Sequence, residues 1–149
     1  MENNEVKIEV TKTIEERDMK GAICTATEGG DMRSWVKALD YRLRNDLSIE
    51  DFDHGGKMQD PEDYWGWVQL VPLVKGCALV LELHEKTECW DGEERDSFDL
   101  DLAALRRGAQ VMSEHYPAYF HELFEDGGGD AVSGGLFIQC CVFGDAIYG

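Results

Sequence analysis

The chain has 149 residues, and its 31 acidic and 14 basic side chains leave a formal net charge of −17. This length fits a single domain, residues 1–149, with enough apolar residues for a core. Nucleic acids and anionic membranes bind basic patches, so the charge argues against direct binding of either. No apolar run approaches the roughly 20 residues of a membrane span.

The first third of the chain predicts a strand, a helix and a second strand. Apolar and charged residues alternate from Val6 to Val10, which indicates a half-buried strand running to about Ile14. A helix is expected over residues 18–28, ended by two glycines. The spacing in residues 33–43 fits either a helix or a strand, and the aromatic residues there favour a strand.

The middle of the chain predicts two neighbouring strands. Residues 64–74 and 77–84 are apolar runs rich in aromatic and β-branched residues, separated by a turn at Lys75 and Gly76. Pro72 places the first of them at a sheet edge or at a bulge. An acidic connection over residues 85–95 and a short extended piece over 97–100 follow.

The last third predicts helices. Asp99 or Asp101 can cap a helix over residues 102–112, and a short helix restarts at Pro117. Asp130 can cap a final helix whose two adjacent apolar stripes run to Tyr148 and predict the most buried helix. The predicted class is α+β: an antiparallel sheet of about four strands, packed on one face by three to four helices.

The cysteines do not predict catalysis. Five cysteines without framework spacing indicate free thiols in a reducing compartment, and hence a cytoplasmic location. They lie in apolar or acidic stretches, which would raise the thiol pKa and weaken the nucleophile. Nucleophile-elbow and phosphate-loop patterns are also missing. We therefore predict a protein that is not an enzyme and has no cofactor.

Residues 51–62 (DFDHGGKMQDPE) resemble the template of a calcium-binding loop. Asp51, Asp53 and Glu62 would supply the hard oxygen ligands. Two features argue against a calcium site. Gly55 has no side-chain oxygen at a ligand position, and the segment after Pro61 is predicted to be a strand, whereas the template requires a helix there. A solvated acidic loop is the preferred interpretation, and a divalent-metal-binding or hydrolytic protein using this loop is the alternative function.

Two other polar groups have simpler interpretations. The acids at 96, 99 and 101 suit a helix N-terminus better than a metal site. His115 and His121 are six residues apart, so they lack the spacing that places two imidazoles on one helical face. The four tryptophans predict either core packing or an aromatic anchor at an interface.

Two segments of this sequence resemble small uncharacterised acidic proteins of phages, prophages and plasmids. They are residues 24–30 (CTATEGG), followed by Trp35, and the tail over residues 137–149 (FIQCCVFGDAIYG). The resemblance implies a mobile-element protein that works inside a bacterial cell. It implies no activity and no functional residues.

The function that the charge predicts is binding to a basic surface of a host protein. One form of it is nucleic-acid mimicry, in which carboxylates occupy the groove of a host-defence or regulatory factor. The alternatives are acidity that serves only solubility, and self-association through the last helix; the oligomeric state is left open. The acids predicted to contact the partner fall in two segments: Glu50, Asp51, Asp53, Asp60, Glu62 and Asp63 in the first, and Glu88, Asp91, Glu93, Glu94 and Asp96 in the second.

Overall fold

The computed structural model describes residues 5–6, 8, 11–28, 31–52 and 68–148. In this part of the chain, a three-stranded antiparallel sheet and four α-helices form an α+β fold, as predicted. The elements are α1 (Glu16–Glu28), β1 (Val36–Arg42), β2 (Ala78–Glu88), β3 (Glu94–Leu100), α2 (Leu102–His115), α3 (Pro117–Phe120) and α4 (Ala131–Phe143). Short 3-10 helices cover Asp31–Ser34, Ile49–Phe52 and Val68–Leu73, and a π-helical turn, His121–Glu125, continues α3.

The strands lie in the order β1-β2-β3. Leu81 of β2 lies between Leu39 and Phe98 in the cross-strand register, and these three side chains face the core. The adjacent row is polar, because Val80 lies between Asp40 and Asp99. One face of the sheet therefore packs against helices while the other carries carboxylates.

Two predicted strands are not seen among the described residues. Of residues 5–14, those that are described lie outside any helix or strand. Residues 68–73 form a 3-10 helix, and residues 64–67 lie outside the described range. Pro72 lacks the N–H that a strand ladder needs, and a continuous apolar run does not distinguish a strand from a helical turn. The turn at Lys75 and Gly76 therefore connects this helix to β2 and is not a hairpin.

The hairpin lies later in the chain than predicted. β2 continues to Glu88 and β3 begins at Glu94, so residues 85–95 belong largely to strands and to the turn between them. The Cys89 N–H closes the turn by donating to the Glu93 carbonyl at 2.8 Å. Between Glu82 and Thr87, β2 has more residues than β3 has opposite them, and this bulge interrupts the alternation that would have marked a strand.

The helix ends follow local capping chemistry. The Asp101 carboxylate accepts a hydrogen bond from the Ala104 N–H at 2.9 Å and caps α2. Asp130 and Ser133 form a reciprocal capping box at the start of α4. α4 ends at Gly144, whose φ of 74° is left-handed, so the predicted continuation of the helix to Tyr148 is wrong.

The main core lies between the sheet and the helices, with α4 at its centre. Ten of the 13 residues of α4 are buried, against five in α1 and five in α2. Glycines allow close approach on both sides: Gly134 faces the α1 backbone at Ala26, and Gly108 of α2 faces Cys141. A second, smaller core holds Phe52, Leu70, Val71 and Cys77.

Candidate acidic interface

The hairpin of β2 and β3 gathers exposed carboxylates on one supersecondary unit. We call residues 82–99 the acidic hairpin. Its exposed acids are Glu82, Glu85, Glu88, Asp91, Glu93, Glu94 and Asp96. The structure thus brings together the five predicted partner-binding acids of the second segment. Only Lys86 and Arg95 oppose them within this range.

The first predicted segment is described only in part. Asp51 is exposed, and its carboxylate accepts a hydrogen bond from the Ser48 N–H at 2.9 Å within a 3-10 turn. Glu50 lies in the same turn. The other predicted acids of this segment, Asp53, Asp60, Glu62 and Asp63, lie outside the described residues.

The metal hypothesis has no support from the part of the chain that is described. Within it, no three His, Cys, Asp or Glu side chains come close enough to hold a metal ion. Of the three proposed ligands, Asp53 and Glu62 lie outside that part. Asp101 caps α2, and Asp99 pairs with Arg42.

An ion pair fixes the turn of the acidic hairpin. Arg95 donates to both carboxylate oxygens of Asp91, at 2.7 and 2.5 Å, and Asp91 also accepts from the Glu93 N–H at 3.2 Å. These bonds stabilise the ionised carboxylate, so the pKa of Asp91 lies well below its ordinary value of 3.8. One of the two cations in the hairpin is therefore engaged in holding the turn.

Two carboxylates face each other at the turn end of the strand pair. Glu88 and Glu94 are directly opposite in the register, and both are exposed. Like charges in this position repel and reduce the stability of the hairpin. The sequence therefore places negative charge where it disfavours the fold.

Trp90 stands at the turn amid these acids. Its side chain is 47% exposed, although its backbone N–H donates to the Val142 carbonyl at 3.0 Å. The guanidinium of Arg107 lies 3.8 Å from the centre of its ring. A cation over an aromatic face holds the ring in place. Trp90 is thus both accessible and fixed, which is the condition for an anchor at an interface.

Arg107 links this turn to the end of α4. Its Nη2 donates to the Cys141 carbonyl at 2.9 Å, where the negative end of the helix dipole favours a cation. Burial lowers the pKa of the guanidinium, and Nε has no hydrogen-bond partner among the described residues. Sequence reasoning missed Arg107, because its contacts join residues far apart in the chain.

Burial disfavours the thiolate form of three cysteines, Cys24, Cys140 and Cys141. All five thiols are free, and burial raises the pKa of Cys140 to about 12 and that of Cys24 to about 11. A thiol with so high a pKa is a poor nucleophile at neutral pH. His115 and His121 are exposed, and His121 contacts Glu125 at 3.5 Å.

The lowered pKa of Asp91 gives a direct test of the turn. A carboxyl group whose pKa falls on folding stabilises the fold above its ordinary pKa of 3.8, and this contribution is lost as the pH falls through the lowered value. We expect an NMR titration that follows the carboxyl carbon of Asp91 to give a pKa below 3.8. Arg95→Gln should return the midpoint towards 3.8, whereas Arg17→Gln, a change on α1, should not. An ordinary midpoint in the unaltered protein would contradict this geometry.

Comparisons with protein-family models, with curated proteins and with solved structures find no match for this chain. Among the described residues, none of the helices has the length and apolar character needed to span a bilayer.

Proposed function

We propose that this protein is a non-catalytic interaction protein that binds a basic surface of another protein through its acidic hairpin. The observation that carries the proposal is the turn at Trp90, where an exposed indole ring lies against Arg107 in a hairpin that carries seven exposed acids. Tryptophan is enriched among the residues that dominate binding energy at interfaces. Surrounding charges of one sign accelerate the encounter with a partner of opposite sign and select its orientation.

The hairpin supports this function by its rigidity. The Asp91–Arg95 ion pair and the Trp90–Val142 hydrogen bond order the turn before any partner binds. A preorganised surface loses less conformational entropy on association than a flexible acidic tail would. The repulsion between Glu88 and Glu94 fits the same function, because a bound cation would relieve it.

The wider setting that we propose is a mobile-element protein in a bacterial cytoplasm. The resemblance of residues 24–30 and 137–149 to small phage and plasmid proteins supports this setting. A nucleic-acid-binding factor of the host is the favoured partner class, because its groove is a basic surface already shaped for rows of negative charge. Binding there would displace the nucleic acid and inhibit the factor.

Capture from bacterial lysate on the immobilised protein tests the proposal. We expect bound proteins that elute as salt rises, since salt screens exposed charges. The hairpin variant Glu88→Gln/Glu94→Gln/Asp96→Asn should bind the purified partner about tenfold more weakly, a loss of about 1.4 kcal/mol in binding free energy. Trp90→Ala should lower the affinity for the partner about 30-fold, which corresponds to about 2 kcal/mol and is typical of an interface hot spot.

The matched control is Glu15→Gln/Glu114→Gln/Asp126→Asn, which removes the same number of charges from exposed positions outside the hairpin. It should leave the affinity nearly unchanged. Equal losses in the two triple variants would show that the acidity acts only through total charge. Capture that does not respond to salt would contradict an electrostatic interface.

A further inference from the structure

A cavity of about 940 Å³ lies between α1, α2 and the 3-10 helices at 49–52 and 68–73. Its volume is at the upper end of the range for small-molecule sites, about 300–1,000 Å³. No part of the acidic hairpin lines it, so it is independent of the interface proposed above.

The lining of the cavity is richer in basic residues than the chain as a whole. Among its described lining residues, three of the five charged ones are basic, against 14 of 45 in the whole sequence. Lys12, Lys20 and Arg106 provide the positive charge, while Glu16 and Asp51 provide the negative charge. Glu125, which is not part of the lining, pairs with Lys12, and Glu16 pairs with Lys20.

Arg106 is the cation available to a ligand. Lys12 contacts Glu125 at 3.2 Å and Lys20 contacts Glu16 at 3.7 Å, so both are engaged. Arg106 is exposed and forms no ion pair with any residue that the structure describes. A planar guanidinium can donate two parallel hydrogen bonds to a carboxylate, which makes it specific for that group.

The wall of the cavity is mainly aliphatic. Of its eleven described apolar residues, only Phe52 and Phe120 are aromatic. Leu73, Leu102 and Leu105 are among the others, and Leu105 lies next to Arg106 in α2. Flexible aliphatic walls suit an acyl chain better than a flat aromatic ring, since they have few faces for stacking.

We propose that this cavity binds an aliphatic monocarboxylate, a fatty acid of medium length. The carboxylate pairs with Arg106, and the acyl chain lies against the half-buried Leu102 of α2 and Leu73 of the 3-10 helix at 68–73. The two lysines are held by Glu125 and Glu16, so Arg106 is the cation that is left to pair with the carboxylate.

Calorimetric titration of the full chain with octanoate, decanoate and dodecanoate, all below their micelle concentrations, tests the ligand class. Burying one CH₂ group contributes about 0.8 kcal/mol, which corresponds to an affinity about fourfold higher. Each ligand is two carbons longer than the one before, so the affinity should rise about 15-fold at each step. Decanol should bind more weakly than decanoate, and decyltrimethylammonium more weakly still. The absence of binding, or equal affinities for the three head groups, would overturn the proposal.

Arg106→Gln tests the head-group contact. We expect this variant to lower the affinity for decanoate about fivefold and to leave the affinity for decanol unchanged. The control is Arg17→Gln on α1, where the side chain is 84% exposed and does not line the cavity. Both variants remove one surface cation, so thermal unfolding should be similar. Equal effects of the two variants on decanoate would show that only net charge matters and would refute the site.

Discussion

Replacing Gly108 with alanine is expected to destabilise the protein by about 3 kcal/mol, the upper end of the usual cost of overpacking. An added Cβ would lie 2.1 Å from Cys141 Sγ and 2.8 Å from the Cα and N atoms of the same residue. The contacts with backbone atoms cannot be relieved by rotating a side chain. α2 and α4 would therefore have to separate, and the core between them would lose its close packing.

Urea unfolding measures this loss, and Gly21→Ala provides the matched control. Gly21 lies in α1 with nothing within 4 Å of the position of an added Cβ. There, alanine should raise the free energy of unfolding by about 0.5–1 kcal/mol, because glycine disfavours a helix. Cys141→Ala should not rescue Gly108→Ala, because the backbone clash remains. A neutral Gly108→Ala variant would contradict this helix contact.

Replacing Gln139 with leucine is expected to cost about 2 kcal/mol, since three partly buried backbone groups would lose their partners. The Gln139 carbonyl oxygen accepts from the N–H groups of Ile147 and Tyr148, both at 2.9 Å. Its amide nitrogen donates to the Tyr148 carbonyl at 3.2 Å. Leucine fills a similar volume but leaves these three backbone groups of the C-terminal segment without a partner.

Tryptophan fluorescence and urea unfolding report on this variant together. The Tyr148 ring stacks on Trp35 with centroids 6.0 Å apart, so release of the segment should expose Trp35 and shift its emission to longer wavelengths. Tyr148→Phe keeps the ring and should change little, because the hydroxyl makes only a 3.5 Å contact with Thr87. An unshifted emission in Gln139→Leu would contradict the role of Gln139.

The helices were the part of the fold best predicted from the sequence, because their signals are local. Asp101 and Asp130 cap α2 and α4 as expected. The end of α4 was misplaced by the apolar residues beyond Gly144. Among them, Tyr148 packs against the core from a non-helical segment while Ile147 is exposed, so their spacing in the sequence imitates a helix that the chain does not form.

The strands were harder to predict because pairing is not local. Residues 68–74 and β2 are both apolar, yet only β2 has strand neighbours on both sides. The acidic end of the hairpin resembled a loop, since a bulge and exposed carboxylates remove the apolar alternation. The acids of the second segment lie on one hairpin, and their role in partner binding stays a prediction. The contact of Trp90 with Arg107 depends on the folded chain and could not be predicted from the sequence.

The turn at Trp90 is built from two distant parts of the sequence. The groups exposed there belong to residues 82–99, but some of the groups that hold the turn belong to the end of α4. Val142 binds the backbone of Trp90, and Gly144 lies so close that a Cβ would approach the Trp90 side chain to 3.3 Å. An affinity tag for partner capture therefore belongs at the N-terminus, since changes near the C-terminus would alter the very surface being assayed.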